Sequence, residues 1–150
     1  MKIQNLFPPA TIISLNLFGY AASANYNADN HTHVEEGHQH GVLEIPQGAT
    51  VPQVDLIVHQ DAKRGWNLEI RTTNFKFAPE SVNQANTYNE GHAHLYVNGQ
   101  KITRLYSNWY YLSQLEPGRN EVKVSLNANG HEALSYQGVM IEDLEIVEVK

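Results

Sequence analysis

Short alternations of apolar and polar residues dominate the chain from Val42 onward. In the segment 121–126, Val122, Val124 and Leu126 fall on one face, and charged or hydroxyl side chains fall on the other. A period of two is typical of a strand with one buried face, and no stretch carries a convincing helical period. The pattern therefore predicts a β protein.

The predicted strands are separated by recognisable turns. Asn98-Gly99 joins the segments 95–97 and 101–106, and Pro117-Gly118 precedes the alternating segment. Asn-Gly tolerates the two positive φ angles of a type I′ turn, so the first pair predicts a hairpin. About seven short strands with frequent turns predict an all-β, antiparallel sandwich or small barrel. Ala93, Leu95 and Val97 should share the core face of the hairpin.

The first 40 residues differ from the rest. Lys2, the mostly apolar stretch 6–20 and the small residues Ala22-Ser23-Ala24 predict a cleaved signal peptide over 1–24, with a short membrane anchor as the alternative. Residues 25–41 are almost devoid of apolar side chains, which predicts a flexible tail. The folded domain is then 42–150, in a periplasmic or secreted protein whose mature chain does not enter the membrane.

Charge and composition exclude several function classes. The 150 residues include 10 Lys and Arg against 16 Asp and Glu, a formal charge of -6, and no cysteine. Nucleic-acid binding is not expected, because phosphates require clustered basic side chains. The missing cysteine excludes disulfides, thiolate metal sites and blue-copper electron transfer. No catalytic constellation is recognisable, and we expect a binding protein more than an enzyme.

Histidine is the residue that suggests chemistry. His92 and His94 lead into the hairpin, and their i, i+2 spacing places both on the strand face opposite the core. Their Cα atoms are then about 7 Å apart, so two imidazoles can converge on one metal ion. The pair is predicted to chelate a metal, with two solvated surface histidines as the alternative.

Other residues could complete this site. His131 follows the segment 121–126 and a turn, at a strand end that a sandwich gathers with other strand ends. His59 ends a predicted strand, and Glu90 is close enough in sequence to ligate or orient a ligand. A solvated loop histidine is the alternative for His131, and a partly buried one for His59.

The tail offers a second set of metal ligands. Its two His-x-His pairs enclose Glu35 and Glu36. Short histidine-rich tracts are typical of metal binding, here with little selectivity because fixed geometry is missing; a solubilising tail is the alternative. The four residues are His31, His33, His38 and His40.

All-imidazole sites suit Cu(II), Zn(II) and Ni(II), and copper stands highest in the divalent affinity order. The cofactor expected is therefore a copper ion, with zinc as the alternative. Because three protein ligands plus water is also the catalytic zinc pattern, a metalloenzyme with an open coordination position stays open.

An aromatic cluster supports a different function. Tyr106, Trp109, Tyr110 and Tyr111 could stack on sugar rings or on a partner protein, or they could fill the core. The rival to a metal protein is therefore a carbohydrate or protein interaction module.

The block 74–79, Asn-Phe-Lys-Phe-Ala-Pro, resembles the Phe-x-Phe-x-Pro strand of cupredoxin-like domains. The Gly-His-Ala-His block at 91–94, Arg104-Leu105-Tyr106 and the segment 126–131 are similar to a family of small exported bacterial proteins of largely uncharacterised function. The resemblance, over about 42–149, implies a cupredoxin-like or immunoglobulin-like sandwich in the periplasm with a metal site. The cysteine ligand of true cupredoxins is missing, so electron transfer is not implied.

Overall fold

The computed structural model describes residues 41–150, and strands make up most of this part of the chain. Eleven strands lie within these residues, where the sequence predicted about seven, and three of the eleven are only two or three residues long. A short 3-10 helix at Pro79–Ser81 interrupts them. The strands are β1 Val42–Glu44, β2 Gln53–Gln60, β3 Trp66–Thr73, β4 Lys76–Phe77, β5 Glu90–Val97, β6 Gln100–Leu105, β7 Trp109–Leu112, β8 Gly118–Ala128, β9 Ala133–Tyr136, β10 Val139–Met140 and β11 Glu142–Val149.

The strands form two sheets in a sandwich-like arrangement, so the predicted all-β fold is confirmed. The larger sheet follows the order β1-β9-β8-β5-β4, with β6, β10 and β11 paired to β5, β9 and β8. The smaller sheet has the order β2-β3-β7. Among the described strands, β1 with β9 and β4 with β5 pair in parallel, and the other pairings are antiparallel. The predicted antiparallel pairing therefore holds among the described strands apart from these two short contacts.

The core lies between the sheets. Complete burial of each aliphatic side chain there stabilises the fold by about 1.5–3 kcal/mol. A hydrogen bond from the backbone N–H of Leu56 to the Asp143 carboxylate, 2.7 Å long, also joins the small sheet to β11. The fully buried members include Leu56, Leu68, Ile70, Ala93, Leu95, Val122, Val124, Leu126 and Leu134.

The hairpin prediction is confirmed. Asn98 and Gly99 have φ angles of 51° and 80° between β5 and β6, as a type I′ turn requires. The core face is confirmed as well: Ala93 and Leu95 are buried, and Val97 packs against the core. Within residues 41–150, no helix is both long and apolar enough to cross a membrane.

Candidate metal centre

Strand β5 places two histidines on the side of the large sheet that faces away from the core. His92 pairs with Asn127 of β8, and His94 pairs with Ser125. The strand alternates, so both imidazoles share a face, as the sequence predicted. Sequence did not predict their burial: each histidine has a relative exposure of 0%. Backbone pairing on both edges of β5 therefore holds these rings on a rigid element.

Three imidazole nitrogens converge at this place. Nε2 of His92 lies 3.0 Å from Nε2 of His94 and 3.1 Å from Nδ1 of His131. One nitrogen from each ring lies within 4.8 Å of the other two. Structural and catalytic metal sites need nitrogens about 2.0–2.1 Å from the ion, and side chains this close reach that distance with small rotations. The three histidines are therefore close enough to bind a metal ion.

His131 enters the site from the turn that follows β8. Its backbone N–H donates to the carbonyl of Ala128 at 3.0 Å, and its own carbonyl accepts from the Asn127 side-chain amide at 3.0 Å. Its φ of 78° is uncommon for a residue with a Cβ atom. The surrounding hydrogen bonds stabilise a backbone conformation that directs this ring toward β5.

Asn83 fixes the orientation of His131. Its side-chain oxygen lies 2.7 Å from Nε2 of that ring, and its backbone N–H donates to the Asn129 carbonyl at 2.8 Å. An amide oxygen only accepts hydrogen bonds, so the proton of the neutral ring resides on Nε2. Nδ1 of His131 then presents its lone pair to His92, as a metal-ligating histidine held by an outer partner does.

A lysine reaches the same site from the hairpin partner strand. Nζ of Lys101 lies 3.1 Å from Nε2 of His94. The two-residue Asn98-Gly99 turn places Lys101 opposite Tyr96, and a β-bulge between Leu95 and Tyr96 shifts the β5–β6 register beyond this pair. Burial, together with the nearby positive charge of Arg104, lowers the pKa of Lys101. An ammonium at this distance donates to a lone pair on His94.

These contacts bring three ring nitrogens to one place. Nδ1 of His131 faces Nε2 of His92, while Asn83 holds the other nitrogen of the His131 ring. Nε2 of His94 lies on the opposite side of Nε2 of His92 and is contacted by Lys101. A divalent cation among these atoms would meet three nitrogen ligands, which is the donor set of a metal centre.

The structure does not bring the two other predicted folded-domain ligands into the cluster. His59 lies on the outer face of the small sheet, where its ring hydrogen-bonds to Glu69 at 2.9 Å and stacks on Trp109. It does not lie with the three converging histidines, and its role as a metal ligand stays a prediction. The carboxylate of Glu90 accepts from the Asn129 side chain at 3.1 Å. It supports the turn before His131 and is not among the grouped ligands.

The aromatic cluster divides between two surfaces. Tyr106 packs against His92 with ring centroids 5.5 Å apart, and Tyr110 packs against the core. Trp109 and Tyr111 are 55% and 49% exposed, so these two do not fill the core. They alternate with Tyr110 on β7 and therefore point away from the core.

The predicted signal peptide and the tail histidines lie outside the described residues. Within the described part, two site residues were missed by sequence analysis. Asn83 carries no sequence signal, since 48 residues separate it from His131. Lys101 could have been found, because the Asn98-Gly99 turn fixes which β6 residues flank the exposed face of β5.

No protein-family model, curated protein or solved structure matches this chain.

Proposed function

We propose that this protein is an exported metal-binding protein that holds a copper ion through His92, His94 and His131. The observation that carries the proposal is the convergence of three imidazole nitrogens within 4.8 Å on the buried outer face of β5. Metal capture fits three converging imidazole nitrogens, since one divalent cation can accept a lone pair from each of them.

The donor set supports copper over zinc, because all three ligands are imidazoles. Copper also stands highest in the divalent affinity order for imidazole ligands. Zinc is the alternative ion.

The function we infer is buffering, transport or sequestration of the metal outside the cytoplasm. The tail supplies four further imidazoles at His31, His33, His38 and His40, which would collect ions with little selectivity. The folded cluster offers fixed donors and hence tighter binding, so ions would pass from the tail to the cluster.

An experiment on a variant without the tail histidines tests this function. Replacing the four tail histidines by glutamine removes their competing sites and leaves the folded domain unchanged. Cu(II) at a free concentration of 100 times the dissociation constant should still raise the melting temperature, because binding then stabilises the native state by about 2.7 kcal/mol. Adding His92→Ala and His94→Ala should abolish that rise. No stabilisation before the two alanines, or full stabilisation after them, would remove the metal function from this site.

A second function is favoured by one observation. Trp109 and Tyr111 are exposed side by side on the outer face of the small sheet, and Tyr111 is held in place by a 2.8 Å hydrogen bond to the Arg64 carbonyl. Rigid exposed aromatic rings suit stacking on sugars. Affinity electrophoresis of Trp109→Ala and Tyr111→Ala in polysaccharide gels tests it: unchanged mobility across the gels would exclude this surface.

A further inference from the structure

Two basic side chains of β6 lie on the same outer face of the large sheet as the histidine cluster. Lys101 pairs with Tyr96, and Arg104 pairs with His94. Residues paired across neighbouring strands share a face. Residues three apart on a regular strand point to opposite faces, but the β-bulge leaves Ile102 as an extra residue between the paired positions. The bulge therefore turns Lys101 and Arg104 to one side.

Among the described residues 41–150, no carboxylate forms an ion pair with either of these two cations. Burial lowers the pKa of Lys101, and the nearby positive charge of Arg104 lowers it further. By contrast, Lys123 on the same face of β8 is paired with the Glu142 carboxylate at 2.9 Å. In a protein with a formal charge of -6, a basic pair placed apart from carboxylates favours an anionic ligand.

A surface depression connects this basic pair with the metal centre. Its volume is about 560 Å³, which is within the range of small-molecule pockets in proteins. The Lys101 ammonium at its edge lies 3.1 Å from Nε2 of His94, and the Tyr106 ring packs against His92. The residues that line the depression are Lys101, Ile102, Thr103, Arg104 and Tyr106.

A metal ion in the cluster would add to the positive charge at this place. An ion bound to Nε2 of His94 would lie within about 5 Å of the Lys101 ammonium, because the metal–nitrogen bond is about 2 Å long and that nitrogen lies 3.1 Å from Nζ. Like charges at this distance repel each other. An anion on the basic pair offsets this repulsion, so metal and anion should favour each other's binding.

We propose that Lys101 and Arg104 bind a small oxyanion, a carboxylate or an inorganic anion, beside the metal centre. The Arg104 guanidinium offers a planar fork that matches two oxygen acceptors, and Lys101 contributes a positive charge next to a metal ligand. The proposal rests on the metal-binding function above and deepens it, because it names a second ligand of the same site. By linkage, each ligand should raise the affinity of the other by the same factor.

The test is isothermal titration calorimetry of the variant without tail histidines, with and without one equivalent of Cu(II). Acetate and sulfate are the probes, and sodium perchlorate keeps the ionic strength constant. Copper should tighten binding of the preferred probe about tenfold. Arg104→Gln should weaken anion binding about tenfold with or without copper, because charged hydrogen bonds are lost. Tighter binding of acetate indicates a carboxylate ligand, and tighter binding of sulfate indicates an inorganic one.

The matched control is Lys123→Met, which should leave anion affinity unchanged because Glu142 already pairs with that ammonium. Arg104 is exposed, so Arg104→Gln should keep the metal-free melting temperature, which separates loss of a ligand contact from loss of folding. Equal anion affinity with and without Arg104→Gln, an equal loss in Lys123→Met, or no binding of either probe would overturn the proposal. So would copper bound at the cluster that leaves anion affinity unchanged.

Failure of the underlying metal function looks different. In that case His92→Ala with His94→Ala leaves the first equivalent of copper bound as before. Copper then has no effect on anion affinity, whereas the loss caused by Arg104→Gln persists in the metal-free protein.

Discussion

Substitution of Gly91 by alanine tests how the backbone of β5 positions the metal ligands. Gly91 immediately precedes His92 and pairs with Ala128 of β8. Its φ is 154°, and an added Cβ atom would lie 2.1 Å from the Asn127 carbonyl oxygen. Cβ atoms do not approach other heavy atoms this closely in folded proteins, and the backbone carbonyl of Asn127 cannot rotate away as a flexible side chain could. The strands must separate by about 1 Å, because close-packed interiors transmit such strain.

The expected cost follows from two contributions. Overpacking of this kind costs about 1–3 kcal/mol, and the unfavourable φ of a residue with a Cβ atom adds about 1–2 kcal/mol. Together they should lower the melting temperature of Gly91→Ala by about 8–20 °C for a domain of this size. Metal ligands tolerate displacements of only about 0.2 Å, so the shift at His92 should also weaken metal binding at least about tenfold.

Gly99→Ala is the matched control. Gly99 also has a positive φ, 80°, but a Cβ atom there meets nothing within 4 Å. It should show the conformational cost alone, about 1–2 kcal/mol, with unchanged metal affinity. Differential scanning calorimetry and chelator competition measure both quantities. Equal destabilisation of the two variants, or full metal affinity in Gly91→Ala, would refute the argument that close strand contact positions His92.

Three further predictions concern neighbouring contacts. Asn83→Ala removes the hydrogen-bond acceptor that orients the His131 ring and should weaken metal binding about tenfold. Asn83→Asp keeps an acceptor and adds negative charge, so it should strengthen metal binding. Chelator competition measures the affinity of both variants. Lys101→Met removes an ammonium 3.1 Å from a ligand nitrogen and should tighten binding about tenfold in the same assay, whereas Lys123→Met should have a smaller effect. The pKa of Glu44 lies below its ordinary value of 4.5, chiefly because its carboxylate accepts a hydrogen bond from the Ser135 hydroxyl. A carboxyl group whose pKa is lowered by folding stabilises the protein at higher pH, and this stabilisation is lost as the pH falls through the folded-state pKa. Ser135→Ala should therefore lower the melting temperature at pH 7, and by progressively less below pH 4.5. A constant difference in melting temperature across that range would contradict this prediction.

Sequence was sufficient for the elements in which local pattern and tertiary environment agree. Val122, Val124 and Leu126 alternate with polar residues, and the sheet buries the face that the alternation indicated. The Asn98-Gly99 turn has the conformation that its residues favour. The shared face of His92 and His94 followed from the same period of two.

The remaining features depend on contacts between distant segments, which no local pattern records. The burial of His92 depends on packing around the outer face of β5, including the Tyr106 ring. The orientation of His131 depends on Asn83, and the pairing of His94 with Arg104 depends on a bulge. Trp109 is exposed because β7 is a short edge strand of the small sheet, although its aromatic character suggested the core.

Anomalous diffraction at the copper absorption edge, measured on crystals of the protein loaded with one equivalent of Cu(II), tests directly whether the three histidines hold the ion. We expect a single strong peak about 2.0 Å from Nε2 of His92, Nε2 of His94 and Nδ1 of His131. A map with no peak among these three nitrogens, or with copper bound only elsewhere on the protein, would contradict it.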